Sequence, residues 1–141
     1  MNANNHRILN LPSPVANSDP ATYGLVRNLE TVIWENSSPA SAFAAQNLSV
    51  GCVGTTSDKV VIVFKNGPSG NLVTVTPEIP LDDTGVIYEA YSPTSDVRRS
   101  FSCYRTSTQF IQFVFADGTK AGATANDYMV PVKIINVRKV T

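Results

Sequence analysis

The stretch Arg98–Gly118, RRSFSCYRTSTQFIQFVFADG, decides the fold class. It holds two runs, Arg99-Ser100-Phe101-Ser102-Cys103-Tyr104 and Phe110-Ile111-Gln112-Phe113-Val114-Phe115, in which large apolar residues recur at alternate positions. A β-strand turns successive side chains to opposite faces, so this period points Phe101, Cys103, Phe113 and Phe115 inward. A helix would scatter the same residues around its circumference.

The pattern continues on both sides. Leu48–Val53, Val60–Phe64, Leu72–Thr76, Val86–Tyr91 and Val130–Val140 read as further strands, rich in β-branched and aromatic residues. Turn clusters separate them at Gly54–Asp58, Asn66–Gly70, Asp82–Gly85, Ser92–Asp96 and Asp117–Gly118. About seven short strands with no helical pattern between them predict a mainly β protein, an antiparallel β-sandwich over residues 45–141. Val61, Val63, Val73, Val75, Ile87, Val132 and Ile134 are the expected core positions beside Phe101, Cys103, Phe113 and Phe115.

Residues 1–40 read differently, as an N-terminal appendage. Leu9, Asn10, Leu11, Pro12 and Pro14 form a Pro-bearing extended strap, because proline removes a backbone donor and pushes its predecessor out of helical geometry. Asp19 is an N-cap and Pro20 fits a first helical position, so the chain is expected to turn helical there and to remain so to about Trp34. Thr22, Val26, Leu29 and Ile33 follow steps of +4, +3 and +4, a heptad-like seam. A helix of this length is marginal alone, so the seam must be covered, either by the sandwich or by copies of itself.

Composition narrows the function classes. The 141 residues carry 11 Lys+Arg against 11 Asp+Glu, a formal net charge of zero, and the charged fraction of 16% is low for a globular protein. No basic surplus points to nucleic acid or to an anionic membrane. No apolar run is long enough for a signal-peptide core or a membrane span, which implies synthesis in the cytoplasm without secretion. The two cysteines, Cys52 and Cys103, lie too far apart for a short metal-binding pair. They read as buried free thiols, with a cross-sheet disulfide as the alternative.

Catalytic groups are sparse. The single histidine, His6, sits in the N-terminal segment, so neither a Ser-His-acid triad nor a histidine metal site can be assembled. No catalytic, metal or cofactor site is assigned, and no cofactor is expected. Asp82-Asp83 reads as the start of a turn, Asn66–Gly70 as a hairpin loop, and Arg98, Arg99 and Arg105 as a solvated basic strand end. Two surface features remain. Residues 117–127 look like a long loop of small residues, and such loops tend to carry function. The tyrosines Tyr88, Tyr91, Tyr104 and Tyr128 can stack on sugars or anchor an interface, or cap the core. The candidate binding surface is therefore Tyr88, Tyr91, Tyr104, Thr119, Lys120 and Asn126.

The segment Arg7–Thr22, RILNLPSPVANSDPAT, resembles a short motif of tailed-bacteriophage tail fibres that reads roughly I-x-N-L-P-x-P-V-x-x-x-D-A-A-T-K-x-Y-V. Asn10, Leu11, Pro12, Pro14, Val15, Asp19, Ala21, Thr22 and Val26 match by position, whereas Pro20, Tyr23 and Leu25 depart from it. The resemblance implies a strap and short helix in a homotrimer whose three copies meet on an axis, with Thr22, Val26, Leu29 and Ile33 as trimerisation residues. It implies a non-catalytic virion structural protein, made in the host cytoplasm, whose partners are itself, other virion proteins and a host surface glycan or protein. Neither nucleic acid nor membrane insertion enters. A capsid decoration or cement protein and a monomeric carbohydrate-binding module are the alternatives.

Overall fold

The computed structural model describes residues 30–51, 58–68 and 70–138, and these form two antiparallel sheets packed face to face. The strands are β1 (Glu30–Glu35), β2 (Gln46–Gly51), β3 (Lys59–Lys65), β4 (Leu72–Val75), β5 (Tyr88–Ser92), β6 (Val97–Arg105), β7 (Phe110–Lys120), β8 (Ala123–Thr124) and β9 (Val130–Val137). The first sheet runs β1-β9-β3-β4. The second runs β2-β7-β6-β5, with β8 paired to the far end of β7. No helix occurs among the described residues.

The core lies between the sheets. Val60, Ile62, Phe64 and Ile134 enter from the first sheet, and Val50, Phe101, Cys103, Ile111, Phe113 and Phe115 from the second, all at most 3% exposed. Phe64, Phe101 and Phe115 form its centre, with ring centroids 5.7–6.2 Å apart. Phe43 closes one side, edge-on to Phe115 at 5.6 Å and to Trp34 at 6.3 Å. Tilted and edge-to-face contacts of this kind add to the area each ring removes from water.

The inward positions Phe101, Cys103, Phe113 and Phe115 are buried as their period predicts, as is Ile134, and Val73 and Val75 pack partly buried against the core. On β3 the expected face is reversed. Val60, Ile62 and Phe64 face inward, which turns Val61 and Val63 to the other side, where Val63 is nevertheless buried at 5% exposure and Val61 is half-buried. A run of five consecutive apolar residues carries no alternation, so its register is set by the neighbouring strands. Ile87 is 70% exposed because β5 begins at Tyr88, leaving Val86 and Ile87 in the preceding loop. Val132 is half-buried, at a register shift where Phe64 faces Pro131 and Val63 faces Lys133.

A second correction concerns residues 30–34, expected as the end of the helix. They lie in β1 and pair with β9, Glu30 opposite Val137 and Trp34 opposite Ile134. Thr31, Val32, Ile33 and Trp34 are β-branched or aromatic, and an open edge of β9 outweighs a short heptad pattern. A bulge between Val32 and Trp34 lets the consecutive Ile33 and Trp34 both pack against the core. Ile33 is thus a strand residue of its own sandwich, not the end of a helical seam, and residues 30–40 belong with the sandwich rather than with the appendage. Thr22, Val26 and Leu29 lie outside the described residues, as do Leu9, Asn10, Leu11, Pro12 and Pro14.

The registers define two poles. At one lie the start of β1, the end of β9, the start of β3, the end of β2 and the turn between β6 and β7. At the other lie the β3–β4 turn, the β5–β6 turn and the segment from the end of β7 to Met129. Hydrogen bonds from Asn66 Nδ2 to Ser92 Oγ (3.2 Å), from Met129 N to Asn66 O (3.0 Å) and from Phe43 N to Asn126 O (2.8 Å) tie this second pole together.

Candidate functional site

The second pole is organised by Arg99, which is 0% exposed. Its Nε donates to Met129 O (2.7 Å) and one terminal nitrogen to Ala116 O (2.6 Å). The other terminal nitrogen donates to Tyr128 O (3.1 Å) and Asn126 O (3.4 Å). The guanidinium carbon lies 5.4 Å from the Phe43 ring centroid. Four backbone carbonyls thereby converge on one cation, which suits arginine's planar fork of donors and no other side chain. Burial pushes the Arg99 pKa down to about 10, with nearby Asp117 opposing the shift, so the group remains cationic at neutral pH.

Around it the chain is tightly fitted. A Cβ on Gly118 would fall 2.6 Å from Tyr128 O and 2.7 Å from both Ala125 O and the Arg99 guanidinium, so only glycine fits. Asn126 Oδ1 accepts from Gly118 N (2.9 Å) and Asp117 Oδ1 from Ala45 N (2.8 Å). The bond from the Ala45 amide, followed by the Asn126 side chain, holds the Asp117 carboxyl below its ordinary pKa. Residues 117–127 are therefore not a long open loop. β7 continues to Lys120, a two-residue turn at Ala121 (φ 51°) and Gly122 (φ 82°) leads into β8, and Arg99 pins the chain from Asn126 to Met129.

The basic cluster separates accordingly. Arg98 alone is exposed, within 2.8 Å of Asp96 and 3.7 Å of Glu89, while Arg99 and Arg105 are buried on the inner face. The signal for this was present in the sequence: Arg99 and Arg105 share the parity of Phe101 and Cys103.

The six candidate binding residues also divide. Tyr91, Tyr104 and Thr119 lie on the outward parity of the second sheet, with Arg98 opposite both Tyr91 and Thr119. Tyr91 is 42% exposed, its ring 4.6 Å from the Arg98 guanidinium carbon. Ser100, opposite Glu89, continues this polar and aromatic strip. Tyr88 instead faces inward, stacked on Phe101 at 5.8 Å, and its hydroxyl donates to Glu78 O (3.2 Å). Lys120 bonds the Tyr128 hydroxyl at 3.2 Å across that ring. Asn126 is scaffolding for Gly118. The exposed strip offers ring faces and hydrogen-bond donors and acceptors to a polar ligand.

Cys103 is a buried free thiol, and Cys52 lies outside the described residues. Burial pushes its pKa up to about 12, which keeps it protonated and unreactive. Among the described residues no three His, Cys, Asp or Glu side chains converge as a metal site would require, and no helix is long and apolar enough to cross a membrane. No family model matches the chain, and neither a curated protein nor a solved structure shows a significant match to it.

Proposed function

We propose that this chain is a bacteriophage virion structural protein, a short homotrimeric tail or collar fibre or a fibre-like adaptor that works by binding. The N-terminal motif Asn10-Leu11-Pro12-Ser13-Pro14-Val15 carries the reading. The polarity of the sandwich supports it. Residues 1–29 lead into β1 at the first pole, where β9 also ends, while the Arg99-pinned segment is presented at the second. An attachment end and a presenting end are thereby separated along the strands.

The two ends differ in chemistry in the same sense. Pro80 O accepts from Arg105 N at the first pole, and the loop beyond Pro80 exposes Leu81 (74%) and Ile87 (70%). Exposed apolar side chains in one region mark contact with other proteins. The second pole instead ends in turns rich in Ser, Thr, Asn and Gly, suited to a polar surface such as a host glycan or protein. Three copies on one axis would raise the effective concentration of weak sites, provided the receptor's spacing lets them engage together.

Labelling purified particles with antibodies against the second-pole turns tests the assignment. Label on the tail or collar is the expected result. Label spread over the capsid lattice would favour the decoration-protein alternative, and particles free of label would end the virion reading.

A further inference from the structure

The first sheet presents an outward face on which Val63 is buried and the other apolar side chains are partly open to solvent. Its register places residues in transverse rows. One row is Glu30–Val137–Lys59, the next Val32–Ile135–Val61, and the third Glu35–Lys133–Val63–Thr74. The middle row is wholly apolar: Val32 is 49% exposed, and Ile135 and Val61 are half-buried. None of these three packs against the core. The outward face of the second sheet has no such row, its cross-strand sets being Ser49–Gln112–Tyr104 and Asn47–Val114–Ser102.

Charge is arranged around the apolar row with a direction. The β1 border carries Glu30 and Glu35, and β3, two strands away, carries Lys59 and Lys65. None of the four joins an ion pair among the described residues, where Arg98 makes the ion pairs with Glu89 and Asp96. Lys133 lies opposite Glu35 between these strands and the short β4 flanks β3 beside Lys65, so the acidic edge of one copy complements the β3 lysines of the next in a ring whose axis runs along the strands.

We infer that this face is the axial surface between copies of the chain, with Val32, Ile135 and Val61 turned to the axis and Glu30 and Glu35 of one copy meeting Lys59 and Lys65 of the next. The inference rests on the trimeric reading above and moves the contact from the N-terminal segment onto the sandwich. Strands parallel to the axis keep all first poles together, as a fibre head requires. Four strands spaced ~4.8 Å apart and ~20 Å long give about 400 Å² of projected area. A partner contributes about 800 Å² to a standard stable interface, so this contact is weak enough for single side chains to tip it. The β1 glutamates and β3 lysines act chiefly on register and choice of neighbour.

Sedimentation velocity of the full-length chain over a hundredfold concentration range tests this. The variants are Val32→Lys with Ile135→Lys, the pair E30K/E35K, the pair K59E/K65E, and all four charge swaps together. The expected result is a wild-type trimer, an apolar-row variant and two charge-pair variants shifted at least tenfold in concentration toward monomer, and recovery in the fourfold swap. Circular dichroism and thermal midpoints near wild type show that each variant folds. A wild-type trimer that every variant retains overturns the axial face and leaves the fibre reading standing. A wild-type monomer throughout overturns both. Charge-pair losses without recovery in the folded fourfold swap overturn the neighbour pairing.

Discussion

Arg99 is the residue on which the second pole depends. Substituting Met keeps the bulk but leaves the Met129, Ala116, Tyr128 and Asn126 carbonyls without their donor, at a cost of about 3 kcal/mol. Chemical denaturation should show that loss, and hydrogen exchange should show residues 117–129 opening before the sheets. A variant as stable as wild type would contradict the account of the cradle. Gly118→Ala should be damaging for a related reason, since its Cβ has no space between two backbone oxygens and the guanidinium. Asp117 adds a pH signature. Its pKa is lower in the folded chain than in the unfolded one, so its contribution is complete above the unfolded carboxyl value of about 3.9 and is lost as pH falls through the folded value. Asp117→Asn should flatten the acid limb of the stability profile. Cys103, read alone in a Cys52→Ser background, should resist thiol reagents at pH 8 until the chain unfolds; rapid native labelling would contradict its burial.

At the scale of elements, the alternating strands were legible in the sequence and the uniform ones were not. β6 and β7 alternate strongly enough that their inward residues follow from parity alone, and the same parity places Arg99 and Arg105 inward against the habit of reading arginine as solvated. β3 offers five apolar residues in a row, and which of them face the core depends on pairing with β4 and β9, which local sequence does not encode. β1 was hidden by a true coincidence: β-branched residues at helical spacing satisfy both patterns, and the long-range partner β9 decides between them. The candidate binding strip was partly legible, since Tyr91 and Tyr104 do face outward, but the inward turn of Tyr88 needed its contact with Phe101. The β7–β8 turn gives a test of its own. Ala121 holds a positive φ that a Cβ disfavours, and asparagine tolerates it better. Ala121→Asn should raise stability by about 0.5–1 kcal/mol in thermal or denaturant unfolding, whereas Ala121→Val should lower it.

The whole molecule is a sandwich with two unlike poles and two unlike faces. β1 begins at one pole, where the loop beyond Pro80 exposes Leu81 and Ile87, and the other pole is locked around a buried cation. One outward face is polar and aromatic; the other carries an apolar row, with Glu30 and Glu35 on its edge strand β1 and Lys59 and Lys65 on the inner strand β3. The proposed ring of copies would cover that second face and leave the polar face and the second pole outward. The mass of the full-length chain in solution, measured by mass photometry at nanomolar and by sedimentation equilibrium at micromolar concentration, tests this most directly. The account predicts a species of three times the 15.2 kDa chain mass at micromolar concentration, dissociating on dilution. A single species at the mass of one chain throughout would contradict it.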